Sequence, residues 1–410
     1  MPTSSQATDD YDVRTIALSL IAGVFFGGMA GGVAFPTLPR LGPLLGISTL
    51  LVGLILSINR MVRLVLNTPA GQVIDRVGTR RPLVVGFLVQ GLAPFGYALA
   101  LHAEVLHLTP ADVFLLSRAL WGVGSAFVFV GAFSTITHVT TAANRGRWVG
   151  YMRGGQTLGF PAGLVAGGLL ADAYSFEAAF LAAGVVGVFA AVVAFLVLPD
   201  LRSTVGQQTR LRDIPRLVSA DVRVLSIGTV NFLVRFLFAG VLLSTVVLYA
   251  ARHDIHVGAL SETGASGIVM AVSVVFSSVT TVVVGRASDA LDNRAYVTVP
   301  SLAALGAGFG LLAAWPTLVG ALVGVSLIGV GVGGTNPPLL AYLGDITPSD
   351  DVGKFGGVYN VFGDLGSTLG PLVALPVAGV VGYGVEYVAC VVLVALAVAL
   401  VVLTLFGPIE

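Results

Sequence analysis

Charge is scarce in this chain: Asp, Glu, Lys and Arg together make up 10% of its 410 residues, and Lys354 is its lone lysine. The formal net charge is zero, which leaves no basic field for a nucleic-acid partner. Cysteine is almost absent, and Cys390 alone can form neither an internal disulfide nor a thiolate metal cluster. There is no Walker-type glycine loop, no HExxH and no paired-cysteine motif, so neither an ATP-driven pump nor a metalloenzyme gains support. No cofactor and no metal are expected. Nor is there a nucleophile with an activating base, which argues against an enzyme. Long polar stretches are missing too. The longest interval, Pro199 to Asp221, has 23 residues, too few for a folded signalling domain.

What is abundant is apolar surface: 56% of the residues, with a mean hydropathy of +0.95, which places the chain in a bilayer. A span needs roughly 20 mainly apolar residues. Twelve are expected, at 15–38, 48–70, 82–101, 111–138, 148–170, 176–198, 222–250, 264–284, 295–314, 317–341, 354–379 and 383–406. Residues 1–14 are polar and acidic, and read as a cytoplasmic tail before a retained first helix rather than a cleaved signal. The 199–221 linker, with Arg202, Arg210, Arg212 and Arg216, separates a first six-helix half (15–198) from a second (222–410). With the N-terminus inside, all these arginines fall on the cytoplasmic side with Arg14, Arg76, Arg80, Arg81, Arg145, Arg147, Arg286, Arg294 and Lys354; only Arg40 and Arg252 fall outside. The expected location is the cell membrane, multi-pass, with both termini cytoplasmic.

Internal symmetry supports two halves in parallel repeat. At an offset of 207, Gly122, Gly124, Gly150, Gly159 and Gly163 match Gly329, Gly331, Gly357, Gly366 and Gly370, and Phe176 and Phe180 fall opposite Tyr383 and Tyr387. At an offset of 214, Gly71, Asp75 and Arg80 match Gly285, Asp289 and Arg294.

Four patterns carry a family likeness. The stretch Gly71-x3-Asp75-Arg76-x-Gly78-x-Arg80-Arg81, after the second span, resembles the loop between helices 2 and 3 of the major facilitator superfamily of secondary transporters. The resemblance implies an all-α fold of twelve transmembrane helices in two pseudo-symmetric halves. Gly71 and Gly78 suit tight approach and a turn. Asp75 suits a neighbouring helix N-terminus, which the resemblance identifies as that of helix 11, with the arginines holding a cytoplasmic latch. Positive-inside charge alone would explain the arginines but not the spacing of Asp75 and the glycines. Arg118-x3-Gly122-x-Gly124 is similar to the family's helix 4 motif, whose arginine is linked to proton transfer. Gly150-x8-Gly159-x3-Gly163 with Gly167 and Gly168 resembles the antiporter motif of helix 5, with Leu164 where the family has proline; Gly357-x8-Gly366-x3-Gly370-Pro371 repeats it in helix 11. Such glycines let helices approach closely, and ordinary small-residue packing is the other reading. Gly333 to Pro338 reads as a break or hinge in helix 10, or as its end.

Charged groups inside spans each cost about 2.5–3.5 kcal/mol on insertion scales, so they face a cavity or a partner. Asn59, Arg60, Arg63 and Asn67 form a polar stripe on helix 2, with Arg60 roughly 15 Å deep. Arg118 lies in helix 4, Asn231 and Arg235 share a face of helix 7, and Asn360 and Asp364 share one of helix 11. Asp364 is expected to pair with Arg60 or Arg63 across the two halves, and its protonation would then be the coupling step; a static pair fixing the packing is the other reading. The unpaired arginines, chiefly Arg118 and Arg235, suggest a positive cavity for a carboxylate or phosphate, although backbone carbonyls would satisfy them equally. The expected function is alternating-access, proton-coupled export of a small amphiphilic or anionic compound by a monomer, in the manner of the drug/proton antiporter-like branch. Uptake or exchange of an organic or inorganic anion is the alternative, and a non-transporting membrane receptor a remote one.

Overall fold

The computed structural model describes residues 12–141, 144–199, 221–348 and 351–406. Most of the expected N-terminal tail, and Arg202, Arg210, Arg212 and Arg216 of the expected linker, lie outside the described residues. The rest forms twelve long helices: α1 Val13–Leu44, α2 Thr49–Val77, α3 Arg80–Ala100, α4 Pro110–Val139, α5 Arg145–Ala173, α6 Phe176–Val197, α7 Val222–Arg252, α8 Glu262–Ser288, α9 Ala295–Ala314, α10 Leu318–Asp345, α11 Val352–Val381 and α12 Tyr383–Leu405. All except α5 are long and apolar enough to cross a membrane by composition. In α5 the charges of Arg145, Arg147 and Arg153 and the six glycines from Gly146 to Gly163 dilute the apolar run. Glycine-rich segments still form helices here, because hydrocarbon offers the backbone no partner outside its own helix.

The helices begin where side chains can take up their free N–H groups. Ser48 accepts from Leu51 N–H at the start of α2, Ser175 from Ala178 N–H at α6 and Thr317 from Gly320 N–H at α10. Thr109 and Asp112 form a reciprocal capping box on α4, with Pro110 at its first position. Helix α7 contains a π turn, Phe236–Leu242, directly after Arg235.

Two sequence expectations need correction. Helix α2 does not end near residue 70 but runs through Val77, so Gly71, Asp75 and Arg76 are helical; the link to α3 is only Gly78 and Thr79. Gly78 makes that turn with φ +85°, a conformation that a Cβ would strain. A helix continues past the edge of the apolar layer as long as its backbone bonds are made, so hydropathy marks the membrane and not the helix. The expected break at Gly333 to Pro338 is likewise absent, since α10 is continuous through Pro337 and Pro338. Its neighbours clamp it there: a Cβ on Gly333 would lie 2.1 Å from the Ser277 carbonyl oxygen of α8, and one on Gly334 would lie 2.3 Å from Ser301 Oγ of α9.

Packing repeats itself six helices on. In the first group α1 packs on α5, α2 on α4, and α3 on α4 and α6; in the second α7 packs on α11, α8 on α10, and α9 on α10 and α12. The repeat is visible in single contacts. Gly159 of α5 sits against the Phe25 carbonyl of α1, and Gly366 of α11 against that of Phe232 in α7, both partners being 207 residues apart. Gly163 meets Met29, and Gly370 meets Phe236 and Gly240, in the same relation. Contacts between the groups are made by α2 with α11, α5 with α8, and the second part of α1 (Ala34–Leu44) with α7 and α8.

Candidate functional site

The α2–α11 seam runs from one end of the bundle to its middle. At the end opposite the Gly78 turn, a Cβ on Gly53 would lie 2.4 Å from the Pro371 carbonyl oxygen, so the two backbones touch. One turn inward Ser57 Oγ, fully buried, donates to the Thr368 carbonyl at 2.6 Å. Next, Arg60 Nη1 donates to the Ser367 carbonyl at 3.2 Å, and its guanidinium lies 5.7 Å from the Phe35 ring centroid. The series ends on a charge pair, Arg63 Nη2 to Asp364 Oδ1 at 2.7 Å, with the two side chains 20% and 23% exposed. Arg63 also lies over Phe129 of α4. Of the two candidate partners, Arg63 holds Asp364 in this conformation. Arg60 is coupled electrostatically to Asp364, but also to Arg63, Arg118 and Arg235.

The polar stripe expected on α2 is split. Asn59, adjacent to Arg60 and so about 100° around the helix, turns to α4, where Arg118 Nη2 donates to its Oδ1 at 3.2 Å. Arg118 is 1% exposed, donates to the Ile55 and Leu56 carbonyls at 3.1 Å each, and lies over Trp121. Backbone carbonyls thus take this guanidinium, and it ties α4 to α2 within the first group. Asn67 lies further along, its Oδ1 buried without a protein partner.

On α7, Asn231 and Arg235 both face α11. A Cβ on Gly363 would lie 2.8 Å from Asn231 Nδ2 and 3.4 Å from Arg235 Cγ. Asn231 Nδ2 donates to the Tyr359 carbonyl at 2.7 Å, and its Oδ1 is buried without a partner. Tyr359 Oη donates to Asn336 Oδ1 at 2.8 Å, linking α11 to α10. Arg235 is half-buried, and among the described residues no ion pair or hydrogen bond to it is formed. Asn360, on the face of Asp364, is exposed. Ser57 and Tyr359 join the site without a motif of their own, and Asn336 falls within the Gly333 to Pro338 run; Ser57 lies three residues before Arg60, a spacing that signals a shared face.

At the Gly78 end the picture changes. Gly150 of α5 and Gly356 of α11 have no heavy atom within 4 Å of where a Cβ would stand. Asp75, Arg76 and Arg81 are exposed. Arg80 Nη2 donates to the Phe195 carbonyl at 2.7 Å, near the end of α6, where a cation suits the helix dipole. The repeated copy makes its own cluster: Arg294 pairs with Asp289 of the α8–α9 link and with Asp345 of α10 at 2.8 Å, and the Asp289 hydrogen bond holds its guanidinium above the ordinary value. Near this end the first group also keeps a core of its own, around Leu20, Leu83, Phe87, Ile136 and Ala191.

The glycine patterns fall mostly on contacts within each group, Gly159, Gly163 and Gly167 on α1 and Gly366 and Gly370 on α7. Gly168 is the exception, meeting Thr263, Gly264 and Gly267 of α8.

The family model for the Major Facilitator Superfamily matches residues 20–371 and, in a second overlapping match, residues 259–409. The chain belongs to the Major Facilitator Superfamily. It is a multi-pass membrane protein of the all-α fold of that superfamily. Multidrug resistance protein 2 of Bacillus subtilis is 25% identical over 187 residues, 46% of this chain and 44% of that protein. Multidrug resistance protein 1 of the same organism is 27% identical over 201 residues, 48% of this chain and 49% of that protein. The chain thus spans about half the length of the curated relatives it matches. A bacterial homologue of the human lysosomal transporter Spinster, in an inward-facing and occupied conformation, superposes with a TM-score of 0.76 at 16% identity, covering 95% of this chain and 96% of its own. At that identity the superfamily fold is shared, and nothing about cargo follows.

Proposed function

We propose that this chain is a secondary transporter that exports a small amphiphilic or anionic organic compound by alternating access, in exchange for protons. The observation that carries this reading is the Arg63–Asp364 pair, which joins the two six-helix groups at mid-membrane. With the N-terminus cytoplasmic, the orientation the positive-inside bias favours, the bundle is closed toward the outside and parted toward the cytoplasm. Opening it outward separates α2 from α11 and takes Asp364 away from its guanidinium. A carboxylate left alone in a low-dielectric interior is neutralised most cheaply by a proton, and that proton comes from outside. On return Arg63 reclaims the carboxylate and the proton leaves into the cytoplasm. Proton entry is thereby tied to substrate exit. The likeness to multidrug resistance proteins supports this direction.

Arg235 favours a second reading. A half-buried arginine with no anionic partner of its own matches a carboxylate or phosphate on the cargo, and an importer of organic or inorganic anions would use it as well. Counterflow in vesicles of both orientations decides between them. Export requires accumulation in inside-out vesicles that are acidified inside; accumulation confined to right-side-out vesicles under an inward proton gradient overturns it.

A further inference from the structure

The outward end of the bundle holds a carboxylate whose position makes no sense within its own helix. Asp172 is the next-to-last residue of α5, where the helix dipole disfavours negative charge. It is half-buried, and its Oδ1 accepts from the Ser261 N–H at 3.0 Å, at the start of α8 in the other six-helix group. Ser261 is the N-cap of α8, and its own side chain makes no capping hydrogen bond. The Asp172 carboxylate also overlies the first turn of α8: a Cβ on Gly264 would stand 3.2 Å from Oδ2. Nearby, Glu262 in the first turn of α8 lies 4.0 Å from Arg40 of α1 and within 4.8 Å of Asp254 and His256. An acid supplied by α5 therefore fills the capping role at the N-terminus of α8, where the dipole and a free N–H both favour it.

We propose that Asp172 is the outward-end latch of this protein, a carboxylate of the first group that caps a helix of the second group only while the outward end is closed. The latch rests on the alternating-access reading, because it must break for α5 and α8 to part. The same chemistry is expected of Asp75 and α11 at the opposite end in the opposite state, so each state would be held by one acid capping one helix across the interface.

The test is a distance measurement that needs no transport. Spin labels at Leu44→Cys and Val380→Cys, in a Cys390→Ser background, report the outward-end separation from exposed positions on the two groups. Two changes remove the latch from opposite sides. Asp172→Ala deletes the acceptor. Ser261→Pro deletes the donor N–H at a residue whose φ of −65° a proline adopts. Each is expected to raise the long-distance population about tenfold, the loss of one hydrogen bond to a charged group, and the double change should add little further. Gly168→Leu, which wedges the α5–α8 contact, is the control. If Gly168→Leu lengthens the distance while either latch change leaves it unaltered, Asp172 is not a latch and the transport reading stands. If no variant, the control included, ever populates a longer distance, alternating access fails and the latch falls with it.

Discussion

The α2–α11 and α5–α8 seams occupy equivalent places between two related groups of helices, yet the body of one is built from charge and that of the other from glycine, with the Asp172 cap confined to one end of the second. In the first, Ser57, Arg60 and Arg63 reach across to carbonyls and a carboxylate. In the second, Gly168 meets the backbone of Thr263 and Gly267, and Gly267 meets the Leu164 carbonyl. A glycine contact has no protonation state and depends only on shape. A charged contact in the membrane has a strength that follows proton occupancy. Under the proposed exchange mechanism the difference would divide the labour: α2–α11 would sense the proton, while the body of α5–α8 would provide close, slippery contact about which the groups move.

The sharpest break in that comparison is Asp364→Asn. It keeps the shape of the polar seam and removes its charge, so proton-driven flux in vesicles should fall to passive leak while substrate exchange persists. Driven flux that survives would leave the pair as a static strut. A smaller effect is expected at the glycine seam. In Gly267→Val the new Cβ would stand 2.4 Å from the Leu164 carbonyl oxygen, a backbone atom that cannot turn aside. Overpacking of this kind costs about 1–3 kcal/mol, here charged to the outward-closed state alone. The label pair at positions 44 and 380 should then report a larger open population, and driven transport should slow without losing its coupling. Uncoupling by Gly267→Val would contradict the division between the seams.

How much of this was legible beforehand depended on how local the cause was. The twelve helices and the Arg63–Asp364 junction could be read because charge inside an apolar run is costly wherever the run ends up. Which arginine pairs could not, since Arg60 and Arg63 are one turn apart on the same helix and only the stagger of α11 chooses. Treating Asn59 to Asn67 as one stripe failed for a geometric reason: Asn59 and Arg60 are sequence neighbours, and α4 and α11 each took one. The continuity of α10 through two prolines is a tertiary effect of α8 and α9, and nothing in the segment itself announces it. The π turn after Arg235 is equally silent, for Phe236 to Leu242 reads as ordinary helix until Gly240 meets Gly370. Asp172 escaped notice because an acid at a helix end looks like surface charge until the next helix is placed beside it.

Arg235 tests whether cationic surplus belongs to the charged α2–α11 seam or to the cargo. It faces α11 beside Asn231 but takes no part in the α2–α11 links. Arg235→Gln should weaken binding of an anionic substrate about tenfold or more, the loss of a charged hydrogen bond, and leave a neutral analogue nearly unaffected. Calorimetric titration with the two ligands measures this directly. Equal losses for both would assign Arg235 to packing.

The smallest expected effect comes from the one neutral link in the charged seam. Ser57→Ala removes a hydroxyl that donates to the Thr368 carbonyl at 2.6 Å from a fully buried position. That carbonyl lies inside α11 and keeps its own helical partner, so the change orphans no group. Interhelical hydrogen bonds in membranes average about 0.6 kcal/mol, which predicts a roughly threefold shift of the label distances toward the outward-open form. The shift should be the same at every pH, because neither partner titrates, whereas the shift caused by Asp364→Asn should shrink as the pH falls and the native carboxylate becomes protonated too. A Ser57→Ala effect that followed pH would mean that the hydroxyl and the Arg63–Asp364 pair act as one unit, and that the polar seam opens as a whole rather than link by link.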